Sequence, residues 1–220
     1  MKYVIMCGGK YDIWEVPRHL TLINEESLIS RTFGLLCDCG VEYEDIYVST
    51  NNGIILNYCE SIAIQVLWHS KNDWTVPRPG VSTGDWCDAF YDMGEPTTYL
   101  MGDVVFSPEA IKTIVETETD DIEFFASAPP FASNYIKPYA EPFAFKVQNV
   151  EHLREAQEEC RRLHLKRKFR REPIAWEFWQ VVKGTELNKI DYTNYTVIND
   201  YTCDIDEPKD VAKIERMING

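Results

Sequence analysis

The apolar run Tyr3 to Cys7 stops at Gly8-Gly9, and no other feature narrows the fold as much. A run so short and so continuous reads as a strand buried on both faces, and the adjacent glycines read as the tight loop that ends a parallel strand. Leu22 and Ile23 then suit a brief strand or turn, and Asn24 can cap a helix. Leu28, Ile29, Phe33, Leu35 and Leu36 supply that helix with an apolar face ending at Gly40. Asp45 to Ser49 is a second strand. Strand, helix and strand at this length make a βα unit, so the fold class expected from the residues is α/β.

The pattern continues with more loop. Ile55 to Cys59 reads as helix, Ile62 to Leu67 as strand, Trp68 to Gly80 as loop, and Gly84 to Met93 as helix. Thr98 to Met101 is a strand running into Gly102-Asp103, after which Ser107-Pro108 starts a helix with a cap and a first-turn proline. Strands follow at Ile122 to Ser127 and Phe143 to Val147, then a long helix from about Val150 to Leu165 and a Trp-rich one from about Ile174 to Val182. Strands near Thr196 to Asp200 and Thr202 to Ile205 precede a closing helix from Pro208.

Charge limits the partners. With 22 basic and 36 acidic side chains the net charge is −14, which argues against nucleic acid or an anionic membrane surface as partner, so any phosphate the protein handles is expected to be small. No apolar stretch approaches the roughly 18 residues of a membrane span. The opening residues read as a strand and not as a signal peptide. Seven cysteines without paired metal-ligand spacing read as reduced, mostly buried thiols of a cytoplasmic protein. Seven of the basic residues crowd into Arg161 to Arg171, either as a solvated helix end or as a face for a phosphorylated ligand or a second subunit, so a homo-oligomer is left open.

Three separated pieces carry chemistry. Cys7-Gly8-Gly9-Lys10, followed by Pro17-Arg18-His19, lets backbone approach a ligand, with Lys10 and Arg18 available to neutralise a triphosphate. Gly102-Asp103 stands at the carboxyl end of a strand, where α/β sheets bind ligands, and its carboxylate could hold Mg²⁺ or cap a helix. In extended Cys203 to Asp206, Asp204 and Asp206 share a face, and two such carboxylates repel unless a cation or basic group lies between them. Alternatively, Asp206 caps the last helix.

In this order, the motifs Gly-Gly, Pro-basic-X-Leu, Leu-X-Gly-Asp and Asp-Ile-Asp-X-Pro-X-Asp resemble those of the GT-A type nucleotidyltransferases. That family takes in sugar-phosphate nucleotidylyltransferases, phosphocholine cytidylyltransferases, CMP-sugar synthetases and molybdenum-cofactor guanylyltransferases. The likeness runs from Lys2 to about Ile218. It implies one Rossmann-like three-layer α/β/α domain over 1–220 with a mostly parallel, mixed sheet. About 1–110 would be a nucleotide-binding half and about 111–220 an acceptor-binding half.

The resemblance further implies an enzyme that moves a nucleoside monophosphate from an NTP, with CTP favoured by the Asp-Ile-Asp ending, to a small phosphorylated or hydroxylated acceptor. Pyrophosphate leaves, and Mg²⁺ is the cofactor. Lys10, Arg18 and Asp103 take the catalytic places, with Arg18 where the family has lysine, and Asp103, Asp204 and Asp206 are the implied metal ligands. Cys7, Gly8, Gly9, Thr50, Asn51, Ser82, Thr83, Gly84, Asp85 and Gly102 complete the nucleotide site. Lys137, Lys146, Trp176 and Glu177 fall where the acceptor is held. The opening loop departs from the family pattern, because Lys10 follows the glycines directly. Two alternatives stay open: a glycosyltransferase of the same fold, suggested by Asp204-Ile205-Asp206, and a catalytically silent nucleotide-binding relative.

Overall fold

A computed structural model describes residues 1–8, 14–68, 90–129, 140–171, 173–189 and 193–220. Its centre is a seven-stranded mixed sheet. The strands are β1 (Lys2–Met6), β4 (Ile46–Thr50), β5 (Gln65–Trp68), β6 (Thr97–Met101), β8 (Ile122–Ser127), β9 (Pro142–Val147) and β10 (Thr196–Ile198), in the order β10-β8-β9-β6-β1-β4-β5. β1 runs parallel to β4 and β6, β4 to β5, and β8 to β10, whereas β9 opposes both of its neighbours. Two small antiparallel pairs lie outside the sheet: β2 (Leu22–Ile23) with β3 (Glu26–Ser27), and β7 (Val104–Val105) with β11 (Cys203–Asp204).

Both faces of the sheet are covered, which is why β1 runs apolar from Tyr3 to Met6 and why even the polar residues Thr97 and Thr98 of β6 are buried. Along β1 the side chains alternate between two cores: Tyr3, Ile5 and Cys7 go to one face, Val4 and Met6 to the other. The first core is closed by helices α1 (Leu28–Asp38), α2 (Gly53–Ser61), α3 (Pro108–Glu116) and α6 (Pro208–Asn219), the second by α4 (Val150–Leu165) and α5 (Ala175–Lys183). The second core is rich in aromatic rings. Phe124 stacks on Phe145 at 4.5 Å, and Trp176 meets Phe124 edge-on at 4.9 Å. A fully buried ring of this size contributes about 1.5–3 kcal/mol. The three-layer α/β/α architecture expected from the sequence is the one observed.

Local chemistry explains most of the boundaries. Ser107 Oγ accepts from Ala110 N at 2.9 Å with Pro108 at the first position of α3, and Asn149 Oδ1 accepts from His152 N at 3.1 Å to start α4. Gly184, at φ 61°, ends α5.

Two expectations are corrected. Asn24 does not cap α1. Asn24 and Glu25 both have positive φ, 49° and 68°, and make the two-residue turn joining β2 to β3, so the cap passes to Ser27, whose Oγ accepts from Ser30 N at 3.1 Å. Of the helix expected over Gly84 to Met93, residues 84–89 lie outside the described residues and Phe90 to Met93 are not helical. Phe90 instead enters the second core, its ring edge-on to Tyr99 at 5.0 Å.

Candidate active site

The carboxyl ends of β1, β4 and β6 lie side by side, because these strands are parallel and in register from Met6 to Ser49 and to Met101. The residues that follow each strand are therefore neighbours: Cys7-Gly8, Asn51-Asn52 and Gly102-Asp103. Gly102 is needed for this approach. Its N–H donates to Met6 O at 3.0 Å, and a Cβ on it would stand 2.4 Å from that oxygen and 2.6 Å from Cys7 Sγ.

Asp103 faces Arg18. The arginine opens a 3-10 turn, Arg18–Leu20, set after Pro17, and its Nη2 is ion-paired with Asp103 Oδ2. Its Nη1 donates to Ile205 O at 3.2 Å and lies 3.6 Å from Asp206 Oδ1. The guanidinium thus lies between two carboxylates from distant parts of the chain. The β7–β11 pair brings them together: Asp204 pairs with Val104 in register, and Ile205 N donates to Asp103 O at 2.9 Å. Upstream, Asp200 accepts from Ser107 Oγ at 2.5 Å, and Thr202 Oγ1 accepts from Ser107 N at 3.0 Å, which fixes this returning segment to the start of α3.

Asp206 does not cap α6. Its own N–H and that of Glu207 donate to Asp210 Oδ2 at 3.2 and 2.9 Å, which leaves the Asp206 side chain turned towards Arg18. Trp14 Nε1 donates to Asp206 O at 3.2 Å and ties the opening segment to the same place.

His19, beside Arg18, is buried at 3% exposure, and its Nδ1 finds no hydrogen-bond partner among the described residues. Burial lowers its pKa from 6.5 to about 4, against an opposing pull from Asp103 and with help from Arg18. The ring is neutral at pH 7.

The remaining sequence candidates divide. Gly9, Lys10, Ser82, Thr83, Gly84, Asp85 and Lys137 lie outside the described residues. Cys7 is at the right end of β1, but its N–H donates to Ser49 O at 2.8 Å and its carbonyl accepts from Thr50 Oγ1 at 2.8 Å, so the scaffold uses both backbone groups. Burial pushes the Cys7 thiol up, which leaves it an uncharged packing group. Thr50 also accepts from Asn52 N at 3.1 Å, and Asn52 caps α2 through Ile54 N at 2.9 Å. Gly8 and Asn51 are half-buried at the same rim.

Lys146 lies elsewhere. It pairs in register with Thr98 and Glu123, towards the opposite end of the sheet from Asp103, and its ammonium donates to Val115 O at 2.8 Å and Thr117 O at 2.6 Å at the end of α3. Trp176 and Glu177 are buried in α5. The indole donates to Ala140 O at 3.2 Å, and the carboxylate takes Arg171 Nε at 2.6 Å and Ile174 N at 3.2 Å. Reading the sequence did not single out Trp14, nor Glu141, a buried carboxyl just before β9 at the end of the sheet where β8 finishes. Neither sits in a motif that would have marked it.

The carboxylates have the hard oxygen chemistry that suits Mg²⁺. The space between Asp103 and Asp206, however, holds the Arg18 guanidinium, and no group of three or more Asp, Glu, His or Cys side chains converges on one point among the described residues. In this arrangement the residues do not fit a metal ion.

Several solved structures with this architecture are described as nucleotidyltransferases. The chain has the nucleotidyltransferase fold. A protein of Bacillus anthracis described as a glucose-1-phosphate thymidylyltransferase superposes with a TM-score of 0.59 at 13% identity, over 98% of this chain and 94% of that one. The CTP:phosphocholine cytidylyltransferase of Streptococcus pneumoniae gives 0.56 at 11% identity, over 99% and 98%. The inositol-1-phosphate CTP transferase of T. maritima gives 0.53 at 13%, over 100% and 96%. No protein-family model matches the sequence, and no curated protein matches it significantly. Among the described residues no helix is long and apolar enough to cross a membrane.

Proposed function

We propose that this chain is a nucleotidyltransferase that moves a nucleoside monophosphate from an NTP, CTP favoured, to a small phosphorylated or hydroxylated acceptor. The observation that carries the reading is the meeting of Arg18 with Asp103 at the carboxyl ends of β1 and β6, in a fold whose solved examples transfer nucleotides. An acceptor oxygen attacks the α-phosphorus, the bond from that phosphorus to the β-phosphate oxygen breaks, and pyrophosphate leaves. A phosphate acceptor is already ionised, so the step needs no strong base, and the neutral His19 is not asked to be one. The protein's work is to position the two substrates and to neutralise charge, with Arg18 and Lys10 as its cations. The 1–110 half would hold the nucleotide and the 111–220 half the acceptor. The Mg²⁺ expected from the resemblance would meet Asp103 and Asp206 already engaged by Arg18.

Thermal stability with CTP, UTP, GTP and ATP tests this, because a ligand bound only by the folded state raises Tm by mass action. CTP is expected to give the largest shift, and pyrophosphate release should follow once an acceptor is supplied. No shift from any nucleotide at millimolar concentration overturns the reading. A silent nucleotide-binding relative is the second reading, favoured by the ion pair that already engages Arg18. In that case nucleotides stabilise the protein but no acceptor yields pyrophosphate.

A further inference from the structure

We propose that Arg18 is the resident cation of this centre, seated between Asp103 and Asp206 so that the protein without nucleotide holds no divalent ion there. The proposal deepens the nucleotidyltransferase reading and rests on it for the expectation that a divalent ion is used at all.

Geometry is the first reason. One guanidinium serves Asp103 through Nη2, and through Nη1 it donates to Ile205 O at 3.2 Å and faces Asp206 Oδ1 at 3.6 Å. An ion bound to both carboxylates would stand about 2.0–2.1 Å from an oxygen of each. The guanidinium already engages Asp103 Oδ2 and Asp206 Oδ1, so an ion bridging the carboxylates through those oxygens would have to displace it.

Energetics point the same way. The Arg18 side chain is only 8% exposed. Evicting it from its carboxylates without offering another anion would leave a buried charge unpaired, which is strongly unfavourable. A hydrated divalent ion alone brings no such anion. Mg²⁺ is also reluctant to shed its own water.

A third reason is the electrostatic logic of the motif. The Asp204-Ile205-Asp206 segment and Asp103 need a positive charge among them, and the chain supplies one covalently. Arg18 therefore lowers the affinity of the pair for a free metal ion. Take that charge away, and the same carboxylates become an anionic site able to attract a divalent ion.

Mn²⁺ titration followed by electron paramagnetic resonance, with no nucleotide present, tests this on the wild-type protein and on Arg18→Met, Arg18→Met/Asp103→Asn and Asp206→Asn. Circular dichroism reports folding. The wild type is expected to bind no Mn²⁺ that Asp206→Asn removes. Folded Arg18→Met is expected to gain one site at least about tenfold tighter than any the wild type has there, and the double variant to lose it again. Wild-type binding that Asp206→Asn leaves intact lies elsewhere and agrees with the proposal. A wild-type site abolished by Asp206→Asn overturns it, as does a folded Arg18→Met that gains none. Should Arg18→Met not fold, the comparison of wild type with Asp206→Asn decides alone. The nucleotide stability assay on the wild type is separate, so failure of the transferase reading is distinguishable from failure of this one.

Discussion

The Arg18 guanidinium is ion-paired with the Asp103 carboxylate, which joins the 3-10 turn Arg18–Leu20 to the residues that follow β6. Both side chains are largely shielded from water, at 8% and 19% exposure, and the backbone of Ile205 closes the site from the other side. The contact that stabilises this corner of the fold is thus the one the proposed function uses.

Asp103→Asn should cost about 3 kcal/mol of folding stability, because it leaves a buried guanidinium without its main counter-charge. Asp206 is 49% exposed and at 3.6 Å, so Asp206→Asn should cost less than about 1 kcal/mol. Urea denaturation of the two variants separates them. Equal losses would mean that Arg18 depends on both carboxylates alike.

Gly102→Ala should be destabilising by about 1–3 kcal/mol, since the added methyl meets the Met6 carbonyl at 2.4 Å and one of the two strand ends must move. The displaced element is the floor of the proposed nucleotide site. The variant is therefore expected to lower Tm and also to shrink the further rise in Tm produced by CTP.

Stability should fall in mild acid because of His19. Its folded pKa, about 4, lies below the ordinary 6.5, so between those values the unfolded chain takes up a proton that the folded protein refuses. The contribution is complete above about pH 6.5 and is lost as the pH falls towards 4, up to a ceiling of about 3 kcal/mol. Urea midpoints at about pH 7 and about pH 5 should differ more for the wild type than for His19→Gln, which has no imidazole to titrate. Carboxylate titration affects both proteins and drops out of the comparison.

Lys146→Met should cost about 1–3 kcal/mol by removing the donor shared by Val115 O and Thr117 O. Burial already lowers the pKa of this lysine, as fits a structural cation. Its distance from Asp103 predicts that the CTP-induced rise in Tm and the acceptor KM will not change. A large rise in acceptor KM in a folded variant would return Lys146 to the acceptor site.

By itself the sequence determined the succession of strands and helices and the placing of Asp103 at a strand end. Those signals are local: the continuous apolar run of β1, the Ser107-Pro108 start of α3, and the strand that runs into Gly102-Asp103. The tertiary structure decided what each polar group meets. Asn24 and Ser27 are both good caps, and only the β2–β3 hairpin selects between them. Cys7 offers a backbone N–H until β4 takes it, and Lys146 reads as an exposed cation until β9 carries it beneath α3. Spacing alone puts Asp204 and Asp206 on one face, with Asp206 equally able to cap a helix. The pairing of β11 with β7 brings that segment to Arg18, because contacts between distant segments depend on sheet order and register, which no local pattern encodes.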